Sequence, residues 1–149
     1  MSNDKRRSMK TIEEKQLEII EEFSFFEDWM QKYEYIIELG KELPLIDPAF
    51  KTDDNLIKGC QSKVWLHAEK DEAGHIHFSG DSDAIITKGM VALIVRVLSD
   101  SSPEDIVQSN LHFVNEIGLH QHLSPTRSNG LASMIKQMKL YGLAYQAAQ

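Results

Sequence analysis

The sequence predicts an α+β domain in two layers, a small antiparallel sheet of about three strands packed against helices from both ends of the chain. Three observations carry this. Apolar residues recur at helical spacing before residue 40 and again after residue 84. Between these stretches the chain is rich in strand formers, in Val64-Trp65-Leu66-His67-Ala68 and the strictly alternating His75-Ile76-His77-Phe78. Finally, 149 residues suffice for one hydrophobic core and leave no room for a second.

Each element has a local cause. Residues 1–10 are polar and basic and read as a disordered tail, leaving 11–149 as the single domain. Thr11-Ile12-Glu13-Glu14 has the form of a capping box, so a helix is expected from there to about Phe23, with Ile12, Leu17, Ile20 and Phe23 at roughly helical spacing. Ser24-Phe25-Phe26-Glu27 repeats the pattern and predicts the start of a second helix. Phe26, Met30, Tyr33 and Ile37 lie on one face of it, and Gly40 ends it. Pro44 and Pro48 bracket a non-helical connection over 43–54, and Leu56-Ile57 offers a short third strand. Asp71-Glu72-Ala73-Gly74 reads as a hairpin turn with Gly74 at positive φ. Residues 84–98 are apolar almost all round, which predicts a central buried helix with Ser82 or Asp83 as its N-cap. Ser102-Pro103 and Ser124-Pro125 each start a further helix, the second running through Leu131, Met134, Ile135, Met138 and Tyr141.

Composition removes several function classes. The net charge is -7, from 23 acidic and 16 basic residues, with no basic cluster outside the tail, which speaks against nucleic acid as a partner. No apolar run approaches the ~20 residues of a membrane helix. Lys5, Arg6, Arg7 and Lys10 are followed by no hydrophobic segment, so a solvated tail is expected rather than a signal peptide, and Met9 is an alternative start. The single cysteine, Cys60, cannot form an internal disulfide, which fits a reducing cytoplasm. It is also too little for a structural zinc or an iron–sulfur cluster, each of which wants several thiolates.

Cys60 stands in Asn55-Leu56-Ile57-Lys58-Gly59-Cys60-Gln61-Ser62-Lys63-Val64-Trp65. It reads either as a buried small hydrophobe or as a thiol presented on a loop tip. For the second reading, Gly59 permits a tight turn, Gln61 and Ser62 are polar, and Lys58 and Lys63 put positive charge nearby, which favours thiolate.

The run Gly59-Cys60-Gln61-Ser62-Lys63-Val64-Trp65-Leu66 resembles the active-cysteine motif of the SufE family, including its CsdE branch. Gly80-Asp81-Ser82-Asp83-Ala84-Ile85-Ile86-Thr87-Lys88-Gly89 and Leu123-Ser124-Pro125-Thr126-Arg127-Ser128-Asn129-Gly130-Leu131 resemble two further segments of that family, in family order. The resemblance implies a SufE/IscU-like fold and a cytoplasmic sulfur carrier. Cys60 would be the persulfide acceptor beside a SufS-like or CsdA-like cysteine desulfurase, and the sulfur would pass on to an iron–sulfur scaffold. Pyridoxal phosphate would belong to the desulfurase, with no cofactor or metal on this chain. A homodimer and a latch-like cysteine loop are further expectations of the family. Gly59, Gln61, Ser62, Asp83 and Arg127 are the supporting candidates.

Each supporting residue also has a plain structural reading. Asp83 is either the N-cap of the central helix or part of what holds the cysteine loop. Gly89, after Lys88, would allow close packing against that loop. Arg127 falls in the first turn of a helix, where a cation opposes the dipole, so it marks either function or a surface ion pair. His75 with His77, and His120 with His122, look like metal-ligand pairs but equally like polar alternation. Cys60 with His67 or His112 mimics a cysteine hydrolase, although nothing marks a fixed base or an oxyanion hole. Phe26, Trp29 and Tyr33 form an aromatic stripe that reads as core packing. The competing functions are a regulatory module that binds a desulfurase without accepting sulfur, an IscU-like cluster scaffold, and a hydrolase.

Overall fold

A computed structural model describes residues 10–148. The expected disordered tail therefore lies outside the described residues, apart from Lys10, which pairs with Glu18. The elements are α1 (Ile12–Ser24), α2 (Trp29–Gly40), β1 (Val64–Lys70), β2 (Ile76–Ser82), α3 (Ile85–Leu98), α4 (Pro103–Gln108), α5 (Phe113–Glu116), α6 (Leu119–His122) and α7 (Pro125–Ala147). The fold is α+β, with a two-stranded antiparallel hairpin rather than three full strands. Leu56 bridges Trp65 at only one point, and the Ile57 N–H donates to the Val64 carbonyl at 2.8 Å. Lys58 and Gly59 then turn away into the cysteine loop, so the third strand cannot extend.

The Thr11 capping box forms as read: the Glu14 N–H donates to the Thr11 hydroxyl at 3.0 Å, and the Thr11 N–H to the Glu14 carboxylate at 2.9 Å. The second box does not. Ser24 donates its hydroxyl back to the Glu21 carbonyl and stays in α1, while Asp28 caps α2 by accepting the Gln31 N–H at 2.9 Å. The buried face of α2 is formed by Ile36, Leu39 and Gly40, with Met30 exposed; Leu17 of α1 is exposed too.

Val64, Leu66 and Ala68 of β1 point into the core, and in register opposite them come Ser82, Gly80 and Phe78. The turn is as expected, with Gly74 at φ +89°. Both edges of the hairpin are closed. Tyr141 and Tyr145 of α7 donate to the Leu66 and Ala68 carbonyls. On the β2 side Gly80 exchanges backbone bonds with Pro44 and Ile46, and Ile76 with Asp100 and Ser101. α3 is the buried centre, and of its two cations, Lys88 and Arg96, the second is held by the Glu22 carboxylate at 2.9 Å. Burial and Glu22 together push the Tyr35 hydroxyl up to about 12.

Two histidines clamp distant segments between carboxylates. His77 sits between Asp71, at 2.6 Å, and Asp100; His112 sits between Glu13, at 2.8 Å, and Glu116. Burial opposes the charge on His77, but its bond to Asp71 and the nearby Asp100 outweigh it, and the pKa is raised. Glu13 and then Glu116 raise that of His112. A raised folded pKa means that the stabilisation is complete below the unfolded value of about 6.5 and is lost as pH rises through the folded value. The thermal midpoint should therefore fall between about pH 6 and pH 8, and His77→Gln with His112→Gln should flatten that fall. Equal slopes in wild type and the double variant would contradict it.

Candidate functional site

The loop 58–63 is anchored at both ends. Its entry is fixed by the Ile57–Val64 bond. Its exit is fixed by Asp83, whose carboxylate accepts the Lys63 N–H at 3.0 Å and whose own N–H donates to the Lys63 carbonyl at 3.2 Å. The Ser82 hydroxyl donates to that same carbonyl at 2.8 Å. Asp83 is thus not the N-cap of α3. Ala84 holds that position with no side-chain cap, because the carboxylate is committed to the loop instead.

At the tip, Gly59 has φ +92°, and a Cβ there would stand 2.5 Å from the Ser133 hydroxyl. The conformation and the closeness of α7 both require glycine. The half-buried Cys60 thiol donates to the Gly130 carbonyl at 3.5 Å. A Cβ on Gly130 would come within 3.6 Å of the sulfur, so the helix approaches the cysteine along its glycine. The sulfur lines a cleft of about 110 Å³ together with Gln61, Ser62, Thr87, Met90, Thr126, Arg127, Gly130 and Met134. The structure thus brings Cys60, Gln61, Ser62 and Arg127 to one cleft, with Gly59 and Asp83 as its supports.

The expected electrostatics are reversed. Burial pushes the Cys60 thiol up, and the flanking lysines do not offset this. Lys58 and Lys63 are both exposed, so water screens their charge while the sulfur faces methionine and helix backbone. In this conformation the thiol is held in its protonated form.

Arg127 is exposed and makes no ion pair among the described residues. Its guanidinium donates to the Tyr33 hydroxyl at 2.9 Å and lies 5.9 Å from that ring's centroid, linking α7 to α2 at the edge of the cleft. The rest of the aromatic stripe packs: Trp29 stacks on His122, and Phe26 lies against Tyr35. Gly89 serves another contact than expected. Its Cα faces Ile36 of α2 rather than the cysteine loop, and a Cβ would fall 2.1 Å from the Ile36 carbonyl oxygen. Lys88 pairs with Asp81 at 3.5 Å.

Among the described residues no group of three or more His, Cys, Asp or Glu side chains, the two histidine clamps included, is placed to hold a metal ion. His67 is stacked on Phe50, with Nε2 buried and without a hydrogen-bond partner. Neither it nor His112 lines the cysteine cleft, whose walls contain no histidine and no carboxylate. A hydrolase base is therefore missing where it would have to act. Sequence reasoning did not single out Ser133, Thr87, Met90, Met134 or the Tyr33 hydroxyl. The usable signal was Gly130: a glycine six residues into a helix costs stability and calls for a close neighbour.

A family model described as SufE, Fe-S metabolism associated domain, matches residues 17–142. An uncharacterized SufE-like protein of Rhizobium meliloti is 41% identical over 126 residues, covering 82% of this chain and 90% of that protein. The solution structure of a hypothetical protein from Thermus thermophilus is similar in fold, with a TM-score of 0.73 at 19% identity, covering 89% of this chain and 96% of that one. No helix of the described residues is long and apolar enough to cross a membrane.

Proposed function

The chain belongs to the SufE family, which is associated with Fe–S metabolism, and from that premise we propose that it carries sulfur on Cys60 from a cysteine desulfurase to a cluster-building scaffold. The observation that supports this most is the setting of Cys60. It is a lone thiol at the tip of a loop anchored at both ends, in a cleft of about 110 Å³ without a general base. Such a cleft suits a small adduct on the cysteine and not an acyl substrate.

In this reading the Cys60 thiolate attacks the terminal sulfur of a persulfide on the desulfurase. The donor's S–S bond breaks, its electron pair leaves on the donor cysteine as thiolate, and a new S–S bond leaves Cys60 as the persulfide. No electrons are gained or lost overall. Pyridoxal phosphate stays on the SufS-like or CsdA-like desulfurase, and this chain needs no cofactor of its own. The attack requires an ionised, accessible sulfur, and the closed loop keeps it half-buried with its pKa raised. The loop must therefore open towards the donor, with the Asp83–Lys63 link as the fastening that holds or releases it and Arg127 at the rim that the partner meets. A reducing cytoplasm keeps the acceptor thiol free.

Incubation with desulfurase and cysteine should add one sulfur atom to the mass of the protein at Cys60. Cys60→Ser should still bind the desulfurase but gain no sulfur and lose the stimulation of alanine production. Full stimulation by the serine variant would favour a purely regulatory module. An iron-containing protein as isolated would favour a scaffold.

A further inference from the structure

All 23 acidic residues lie at or before Glu116, so α7 carries Arg127, Lys136 and Lys139 and no acidic residue in a chain of net charge -7. Along one flank of this helix an open, mainly apolar groove of about 530 Å³ runs from Leu131 to Leu143, walled on the far side by Leu111 and Val114. Leu140 and Leu143, three residues apart on one face of α7, are 46% and 50% exposed. Lys136 and Lys139 stand on the rim, and Lys139 is fixed there by donating to the Ser109 carbonyl at 2.7 Å. At about 100° per residue this flank faces away from Gly130 and Met134, so the groove is separate from the cysteine cleft.

We propose that this groove docks an acidic amphipathic helix of a partner protein. Residues 131 to 143 span ~18 Å, roughly three helical turns, a length that suits a helix better than a compact small molecule. The occupant places leucine-like side chains at i, i+4 and i+7 in the groove and its carboxylates against Lys136 and Lys139. The acidic remainder of the surface repels such a segment, which confines it to this flank. Lys136 and Leu140 form a crest shared with a neighbouring cleft whose far wall is Asp54 to Lys58, the limb leading into the cysteine loop, with one carboxylate at its start and one ammonium at its end. A helix lying over that crest touches the limb, which joins docking to the loop.

The test uses the full chain and a fluorescein-labelled helical peptide of about 18 residues, with leucines on one face and glutamates flanking them, read by fluorescence anisotropy. Saturable binding is expected, weakening with salt. It should weaken by at least about tenfold in Lys136→Glu and in Leu143→Glu, both at exposed positions, and for a peptide carrying lysine in place of glutamate. Cys60→Ser should bind as wild type does, since the groove does not depend on the sulfur-carrier reading. Absence of saturable binding, equal affinity for the acidic and basic peptides, or capture of laurate but not of the acidic peptide would overturn the proposal.

Discussion

Gly89→Ala should destabilise the protein by about 3–5 kcal/mol, a large part of the ~5–15 kcal/mol that holds a domain of this kind together. A Cβ at this position would lie 2.1 Å from the Ile36 carbonyl oxygen and 2.6 Å from Ile36 Cγ2. On the other helix, a Cβ on Gly40 would come within 3.0 Å of the Gly89 nitrogen. α2 and α3 thus cross backbone to backbone through two glycines, and a side chain there can be relieved only by moving a helix axis. Gly89 also sits between Thr87 and Met90, so the displacement reaches the wall of the cysteine cleft. Gly74→Ala is the control. It has φ +89° but nothing within 4 Å of a new Cβ, so only the backbone penalty of roughly 1–2 kcal/mol applies. Urea titration separates the two by midpoint at unchanged slope. A Gly89→Ala midpoint matching that of Gly74→Ala would show that the crossing has slack.

The second large effect concerns Cys60 itself. Asp83→Ala leaves the Lys63 N–H without its carboxylate, a loss of about 1 kcal/mol and so roughly a fivefold gain in open loop. Gly130→Leu acts more directly, because its Cβ already reaches 3.6 Å from the sulfur and the remaining side-chain atoms need the space that Cys60 occupies. Because burial holds the thiol pKa up, the closed loop is favoured below the ordinary thiol value and loses stability as pH rises above it. Opening should therefore speed alkylation of Cys60 by iodoacetamide on the order of tenfold for Gly130→Leu, through access and ionisation together, and by less for Asp83→Ala. The midpoint of the pH–rate profile should move down towards that of a free thiol in both variants. Unchanged rates would mean that neither contact restrains the loop.

These two effects mark where local and long-range information part. The Thr11 box, Ser102-Pro103, Ser124-Pro125, the Gly74 turn and the strand pattern from Val64 were legible because a cap, a turn or a strand period is decided among neighbours within a few residues. The Ser24 box failed as a local signal, because α1 absorbs Ser24 and continues, and Asp28 caps α2 instead. Gly89 stands out in the sequence, but its contact lies on a helix some fifty residues earlier, and no spacing rule points across that distance.

For Cys60, neighbouring residues are enough to show one thiol between an extended limb and a strand, beside glycine, in a chain with no second cysteine. The state of that thiol is set by contacts that form only when distant segments pack. The Gly130 carbonyl lies 70 residues away and the Asp83 carboxylate 20 residues beyond Lys63, and the cleft is assembled from the loop, α3 and α7. Flanking lysines, which are local, argued for a thiolate; burial against distant helices, which is not, sets the thiol the other way. Desolvation acts on the sulfur wherever the packed chain covers it, whereas the field of an exposed ammonium is weakened by water and salt.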